Sequence, residues 1–123
     1  MSADPRRRDR GMATAELAVV LPALVVLVAA GMTAVSLLIA QLRCVDAARE
    51  AARAAARGED AAVVRSLAER SGPGGSEVRV TFGKEEVEVT VSAEAGSVGG
   101  LLPAVHVEAT AVALREPEPS GEP

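Results

Sequence analysis

The chain has 123 residues and a net charge of −4, and its length is enough for one domain at most. Hydrophobic residues make up 49% of it, yet there is one Phe and neither Trp nor Tyr, so the apolar content is mainly Ala, Val and Leu. A core of such residues buries little area per side chain, which predicts a small, marginally stable domain. One Cys and one His exclude an intrachain disulfide and a protein-only tetrahedral zinc site.

Charge is distributed unevenly along the chain. Four Arg and two Asp give residues 1–11 a side-chain charge of +2, so the other residues carry −6. The basic part is a short tail rather than a patch with interleaved aromatic residues, and it does not indicate nucleic-acid binding. A basic tail in front of an apolar run is typical of an export signal, so we expect a cytoplasmic N-terminus and an extracellular C-terminal domain.

Residues 17–42 contain no charged side chain. As a helix rising about 1.5 Å per residue, this run is about 39 Å long and exceeds a hydrocarbon core of about 30 Å. We therefore predict a transmembrane helix over residues 12–42. Four arginines precede the run and four follow it closely, so the positive-inside rule is nearly balanced and the predicted orientation depends on the export-like leader.

The span is predicted to continue as an extracellular helix over residues 43–58, because Ala and Arg are strong helix formers. One face of this helix carries only small residues: Cys44, Ala48, Ala51 and Ala55. Such a face is suited to packing against a helix or a sheet, and Gly58 is a typical C-terminal stop. The alternative is a solvated alanine helix, since so small a face buries little area.

Residues 59–114 are predicted to form a small α+β domain. The segment EDAAVVRSLAER indicates a short amphipathic second helix, followed by a Gly-rich loop. Apolar and polar residues then alternate on both sides of a GKEE turn, and again over residues 104–114. The predicted fold is α+β: a long N-terminal helix, half transmembrane and half extracellular, a short second helix, and a three-stranded antiparallel sheet packed on the long helix. The Pro- and Glu-rich residues 115–123 are predicted to be a disordered tail.

No catalytic constellation is present, so we predict that the protein is not an enzyme and has no cofactor and no metal. His106 alternates with Glu108 and Thr110 on a polar strand face, and one His supplies neither a catalytic dyad nor a metal set. Cys44 follows the apolar run closely. It is either a small packing residue or the site of an intermolecular disulfide.

The most informative pattern is RRRDRGMATAEL, in which Glu16 is the fifth residue after Gly11 and directly precedes the apolar run. A carboxylate at the edge of a span is costly, and ionisable residues there are usually functional. The pattern resembles the cleavage site of type IV prepilins. The resemblance implies that a prepilin peptidase cuts after Gly11 on the cytoplasmic side, removes residues 1–11 as a leader and makes Met12 the new N-terminus. Glu16 is then the glutamate retained in the mature helix.

With ELAVVLPAL, the Arg/Ala-rich helix and the β-rich end, the chain resembles the TadE-like family, and more specifically actinobacterial TadE-like minor pilins. The resemblance covers nearly the whole chain. It implies a minor pilin or pseudopilin of a Flp/Tad-type pilus, single-pass in the cytoplasmic membrane or incorporated in a surface pilus, that serves in assembly, initiation, adhesion and surface attachment. The implied partners are the prepilin peptidase, the major Flp-type pilin, other TadE-like minor pilins, the inner-membrane assembly platform with its motor ATPase, and the lipid bilayer.

Electrostatics favours a role for Glu16 in setting register during assembly. Cleavage creates a cationic amine at Met12, and the helix dipole favours an anion in the first turn by about 0.3–1 kcal/mol. Pairing with the amine of a neighbouring subunit offsets the desolvation of Glu16 in a filament of low dielectric constant.

A different interpretation is a secreted or single-span membrane-anchored binding module. Val28, Ala29 and Ala30 suit signal peptidase, with a cut after Ala30 that leaves Glu16 without a role. A third interpretation is a plain anchor that is not cleaved.

Overall fold

The computed structural model describes residues 5–97 and 99–117. Its elements are α1 (Pro5–Ala56), α2 (Ala61–Ser71), β1 (Glu77–Phe82), β2 (Glu86–Ala95) and β3 (Val105–Leu114). The strands form one antiparallel sheet in the order β1-β2-β3, and both the sheet and α2 pack on the C-terminal half of α1. The predicted α+β fold is confirmed. Residues 1–4 of the predicted leader and 118–123 of the predicted tail lie outside the described residues.

The long helix α1 runs for 52 residues without a break. Pro5 is its first described residue. The helix passes through the predicted boundaries between leader, span and extracellular segment. Pro22 lies in its interior and removes one backbone hydrogen bond, a loss that transmembrane helices commonly tolerate.

The C-terminus of α1 is a Schellman motif centred on Gly58. Gly58 has a φ of +90°, and its N–H donates to the carbonyl of Ala55 at 3.0 Å. The N–H of Glu59 donates to the carbonyl of Ala54 at 3.3 Å. Glycine adopts this left-handed backbone without steric cost, which confirms Gly58 as the stop.

The core lies between the small-residue face of α1 and the inner face of the sheet. On α1 the buried residues are Ala40, Cys44, Ala47, Ala48, Ala51, Ala52, Ala54 and Ala55. Opposite them lie Val87, Val89, Val91, Ala93 and Val107 of the sheet and Val64 and Ala68 of α2. Small side chains on the helix let the branched valines of the sheet approach its backbone. The packed helix is therefore correct, and the solvated alanine helix is not.

Backbone hydrogen bonds hold the chain after β3 against the rest of the domain. The N–H of Arg115 donates to the carbonyl of Glu85 at 2.8 Å, and the N–H of Glu116 donates to the carbonyl of Ala56 at 3.1 Å. The end of β3 therefore lies beside the end of α1, and the described chain is tied down for two residues past the predicted start of the tail.

Candidate processing and assembly site

The N-terminal half of α1 exposes a continuous apolar surface. Its mean hydropathy reaches 2.5 over an 18-residue window, of which 6% is buried. Within residues 5–97 and 99–117, α1 is the one helix long and apolar enough to cross a membrane. So large an exposed apolar surface is unfavourable in water and marks a contact with lipid or with other proteins. The helix is compatible with the membrane anchor expected from the sequence.

The Gly11–Met12 peptide bond is accessible on this helix. Met12 is 70% exposed, and a Cβ added at Gly11 would meet no atom within 4 Å. Glycine in a helix interior costs about 1 kcal/mol relative to alanine, so Gly11 weakens the helix locally. The hydroxyl of Thr14 also donates to the carbonyl of Arg10 at 2.8 Å, and such back-bonding slightly destabilises a helix. The Gly11–Met12 bond therefore lies in an exposed and locally weakened part of α1.

Glu16 lies on the same face of α1 as Met12, one helical turn further on. Its side chain is exposed, and it has no ion-pair partner among the described residues. Residues four apart on a helix are neighbours, so a cut after Gly11 would place a new amine and this carboxylate side by side. The geometry therefore brings three predicted site residues together: Gly11, Met12 and Glu16.

Cys44 is remote from this site, about 42 Å from Glu16 along the helix axis. Its side chain is fully buried among the alanines of α1 and the sheet, and burial raises the pKa of the thiol. Disulfide exchange requires an accessible thiolate, so this environment favours the packing role over the intermolecular disulfide. The disulfide stays a prediction that requires the sheet to separate from α1.

The polar strand residues form no catalytic or metal-binding group in the described chain. His106 is exposed, and its Nε2 lies 3.5 Å from Oε2 of Glu108. Thr110 faces Thr90 across the sheet, with their hydroxyl oxygens 2.9 Å apart. The described residues contain no cluster of three or more His, Cys, Asp or Glu that could hold a metal ion.

Sequence reasoning missed where the β2–β3 loop lies. Gly96, with a φ of +86°, approaches α1 so closely that an added Cβ would lie 2.8 Å from Cδ2 of Leu37 and 3.5 Å from Cγ2 of Thr33. One turn further on, Nε2 of Gln41 donates to the carbonyl of Glu108 at 2.9 Å. The sequence carried one signal for this position, the absence of charge over residues 95–105.

The exposed apolar segment of α1 and the small-residue face that follows it match a known family. A profile of the TadE-like proteins matches residues 11–53, beginning at Gly11 and extending into the packed half of α1. A protein of Mycobacterium tuberculosis (strain ATCC 25618 / H37Rv) named "Apoptosis inhibitor Rv3655c" is 42% identical over 112 residues, which cover 89% of this chain and 78% of that relative. The chain belongs to the TadE-like family. No solved structure matches it.

Family membership indicates that this TadE-like protein is associated with the Tad pilus system. TadE-like proteins are pilus-associated structural proteins rather than enzymes. The matched segment contains Gly11, Met12 and Glu16 and the whole apolar run, so the candidate site lies within the part of the chain that is typical of the family.

Proposed function

We propose that this TadE-like protein is a minor pilin, or pseudopilin, of a Flp/Tad-type pilus that is cut after Gly11 and used in pilus assembly or initiation. One observation carries the proposal: an accessible Gly11–Met12 bond followed, one turn on, by an unpaired Glu16 at the head of an exposed apolar helix. The start of the family match at Gly11 supports it.

In this proposal the chain has five functional segments. Residues 1–11 are the cytoplasmic leader, residues 12–42 cross the membrane once, and residues 43–58 continue the helix outside the cell. Residues 59–114 form the extracellular domain, and residues 115–123 are its tail. The α1 helix holds the domain close to the membrane surface because no hinge separates its two halves.

Glu16 would act during assembly and not in a reaction. Within a bilayer or a filament core, an ionised carboxylate is costly unless it is paired. The described residues of the chain supply no partner, so the partner would be an amine at position 12, from the same chain or from a neighbouring subunit. A pair between subunits would fix the axial register of one helix against the next.

The proposal names partners at two stages. The prepilin peptidase would act on the exposed bond before assembly. During assembly the protein would contact the major Flp-type pilin, other TadE-like minor pilins and the assembly platform with its motor ATPase. The exposed apolar half of α1 is the surface that would pass from the lipid bilayer to contacts with other subunits.

The mature N-terminus tests the proposal. Mass spectrometry of the protein from cells that contain the prepilin peptidase should find a chain beginning at Met12. The variant Gly11→Leu should remain uncut because a larger side chain blocks the peptidase. The fold should not change, since no atom lies within 4 Å of an added Cβ. Gly11→Ala is the matched control and should still be cut, because the peptidase family accepts glycine or alanine.

Other outcomes would contradict the proposed site. A mature chain beginning at Gly31 would establish signal-peptidase cleavage and favour the secreted binding module. A full-length chain in those cells would favour the plain anchor. Normal cleavage of Gly11→Leu would show that Gly11 does not define the cut.

A further inference from the structure

We propose that the β2–β3 loop is a second membrane contact, in which the apolar residues 101–105 enter the bilayer interface beside α1. The proposal rests on the membrane anchor proposed above and adds to it a surface of the extracellular domain. It does not depend on which side of the membrane the domain occupies.

The position of the apolar run in α1 and the thickness of a bilayer together predict where the helix leaves the hydrocarbon. The apolar run follows Glu16, and a hydrocarbon core of about 30 Å spans about 20 helical residues. A span that begins at residue 17 would therefore leave the hydrocarbon near residue 36. If the span lies nearer the other end of the run, its boundary moves towards residue 42. In either placement Thr33 and Leu37 lie at the boundary or inside it.

Two hydrogen bonds align β3 with this boundary. Gln41 donates to the carbonyl of Glu108, and the N–H of Glu116 donates to the carbonyl of Ala56. The eight residues of extended chain between these contacts cover about 26 Å, and the 15 helical residues cover about 22 Å, so strand and helix run side by side. Val105, three residues before Glu108, then lies about 10 Å nearer the membrane, at the level of helix residues 34–35.

Gly96 provides an independent measure of the same depth. Its contacts with Leu37 and Thr33 place the other end of the loop against α1 at the calculated boundary. Leu37 is partly buried against the core, and Thr33 is half-buried, so the domain covers one face of α1 down to this level. Both ends of the β2–β3 loop therefore reach the predicted edge of the hydrocarbon.

The side chains of the loop are apolar and uncharged, which suits an apolar environment better than water. Leu101 is 89% exposed, Leu102 is 39% exposed and Val105 is 45% exposed, and Pro103 and Ala104 between them are exposed as well. No residue from 95 to 105 carries a charge. Moving large apolar side chains out of water is favourable in proportion to the apolar area removed.

Lipid is the occupant that this geometry favours. The exposed leucines lie at the same depth as the exposed apolar surface of α1, so a bilayer that covers the helix also reaches the loop. A second copy of the chain is a less simple occupant, because it would have to cover the loop while lipid covered the apolar helix surface at the same depth. The loop would thus hold the sheet against the membrane and restrict the rotation of the domain about α1.

Tryptophan fluorescence tests the proposal in the full chain, which has no Trp of its own. Three single-Trp variants are reconstituted in phosphatidylcholine vesicles with or without brominated acyl chains: Leu101→Trp, Leu27→Trp and Leu114→Trp. Leu27 marks the middle of the span. Leu114 is 76% exposed and lies beside the end of α1, about 28 Å above Leu37, which makes it the matched water-exposed control.

We expect Leu101→Trp to show blue-shifted emission and to lose intensity to bromines near the glycerol backbone. Leu27→Trp should lose intensity mainly to bromines near the chain ends, and Leu114→Trp should lose none. The loop proposal is overturned if Leu27→Trp is quenched while Leu101→Trp behaves like Leu114→Trp, and the anchor then still stands. Failure of Leu27→Trp to be quenched removes the anchor and the loop contact together. Blue-shifted emission from Leu101→Trp without lipid quenching would assign the loop to a protein contact instead.

Discussion

Cys44 shows how a single residue changes meaning with its surroundings. Its position just after an apolar run is compatible with a packing role and with an intermolecular disulfide. In the structure it is fully buried, and burial raises the pKa of its thiol. Because folding raises this pKa, the unfolded chain loses the thiol proton first as pH rises above about 8.5, and folding stability falls from there upward.

We expect the thiol of Cys44 to react slowly with a maleimide in the folded, detergent-solubilised chain. The double variant Cys44→Ala/Arg49→Cys carries an exposed thiol on the same helix and is the control. Burial should lower the alkylation rate of Cys44 at least about tenfold relative to the control thiol, which corresponds to an opening free energy of about 1.4 kcal/mol. Urea should make the two rates equal. Equal alkylation rates of Cys44 and the control thiol in native conditions would contradict the buried position and would favour the intermolecular disulfide.

The elements of the fold depend on a few local signals. The predicted stop at Gly58, the short second helix and the change to a period of two each coincide with an observed boundary. The buried face of α1 is wider than the predicted one, since Ala47, Ala52 and Ala54 are buried as well. The sequence indicated one narrow face on α1, whereas both α2 and the sheet pack on this helix.

Gly58→Ala should weaken the end of α1 because Gly58 has a φ of +90°. The expected cost is about 1 kcal/mol, which should raise the rate of Cys44 alkylation about fivefold. Gly74→Ala is the matched control: no atom lies within 4 Å of an added Cβ, and the backbone there does not require glycine. If Gly58→Ala leaves the rate of Cys44 alkylation unchanged, the cap does not contribute to holding α1 against the sheet.

The whole molecule divides α1 into two halves with different partners. The C-terminal half buries its small residues against the sheet and α2, while the N-terminal half keeps large apolar residues exposed. The exposed apolar run of α1, and a Glu16 with no ion-pair partner among the described residues, are features that contacts outside the chain would satisfy. This division is the molecular basis for the proposed passage from membrane to pilus.

We expect Glu16→Ala to be inserted in the membrane and cut, but to assemble poorly. Without the carboxylate, the amine at Met12 has no counter-charge in the apolar surroundings and the register between subunits is lost. The measurement is the amount of the protein in the sheared pilus fraction of a strain that lacks its own copy, with pili counted by electron microscopy.

Asp9→Ala is the control for charge, because the proposed cut removes Asp9 with the leader. That variant should assemble normally. Normal piliation in the Glu16→Ala strain would remove the assigned role of Glu16 while leaving the cleavage site untouched.

The elements, the apolar run, the small-residue face and the Gly11–Glu16 spacing could all be predicted from the sequence. These depend on periodicity and on residues close together in the chain, so local rules are sufficient. The position of the sheet along α1 could not be predicted in this way and is seen only in the folded chain. That position depends on pairs such as Gln41 with Glu108 and Leu37 with Gly96, which are far apart in sequence. No periodicity encodes such pairs, and they bring the uncharged β2–β3 loop to the C-terminal part of the apolar run.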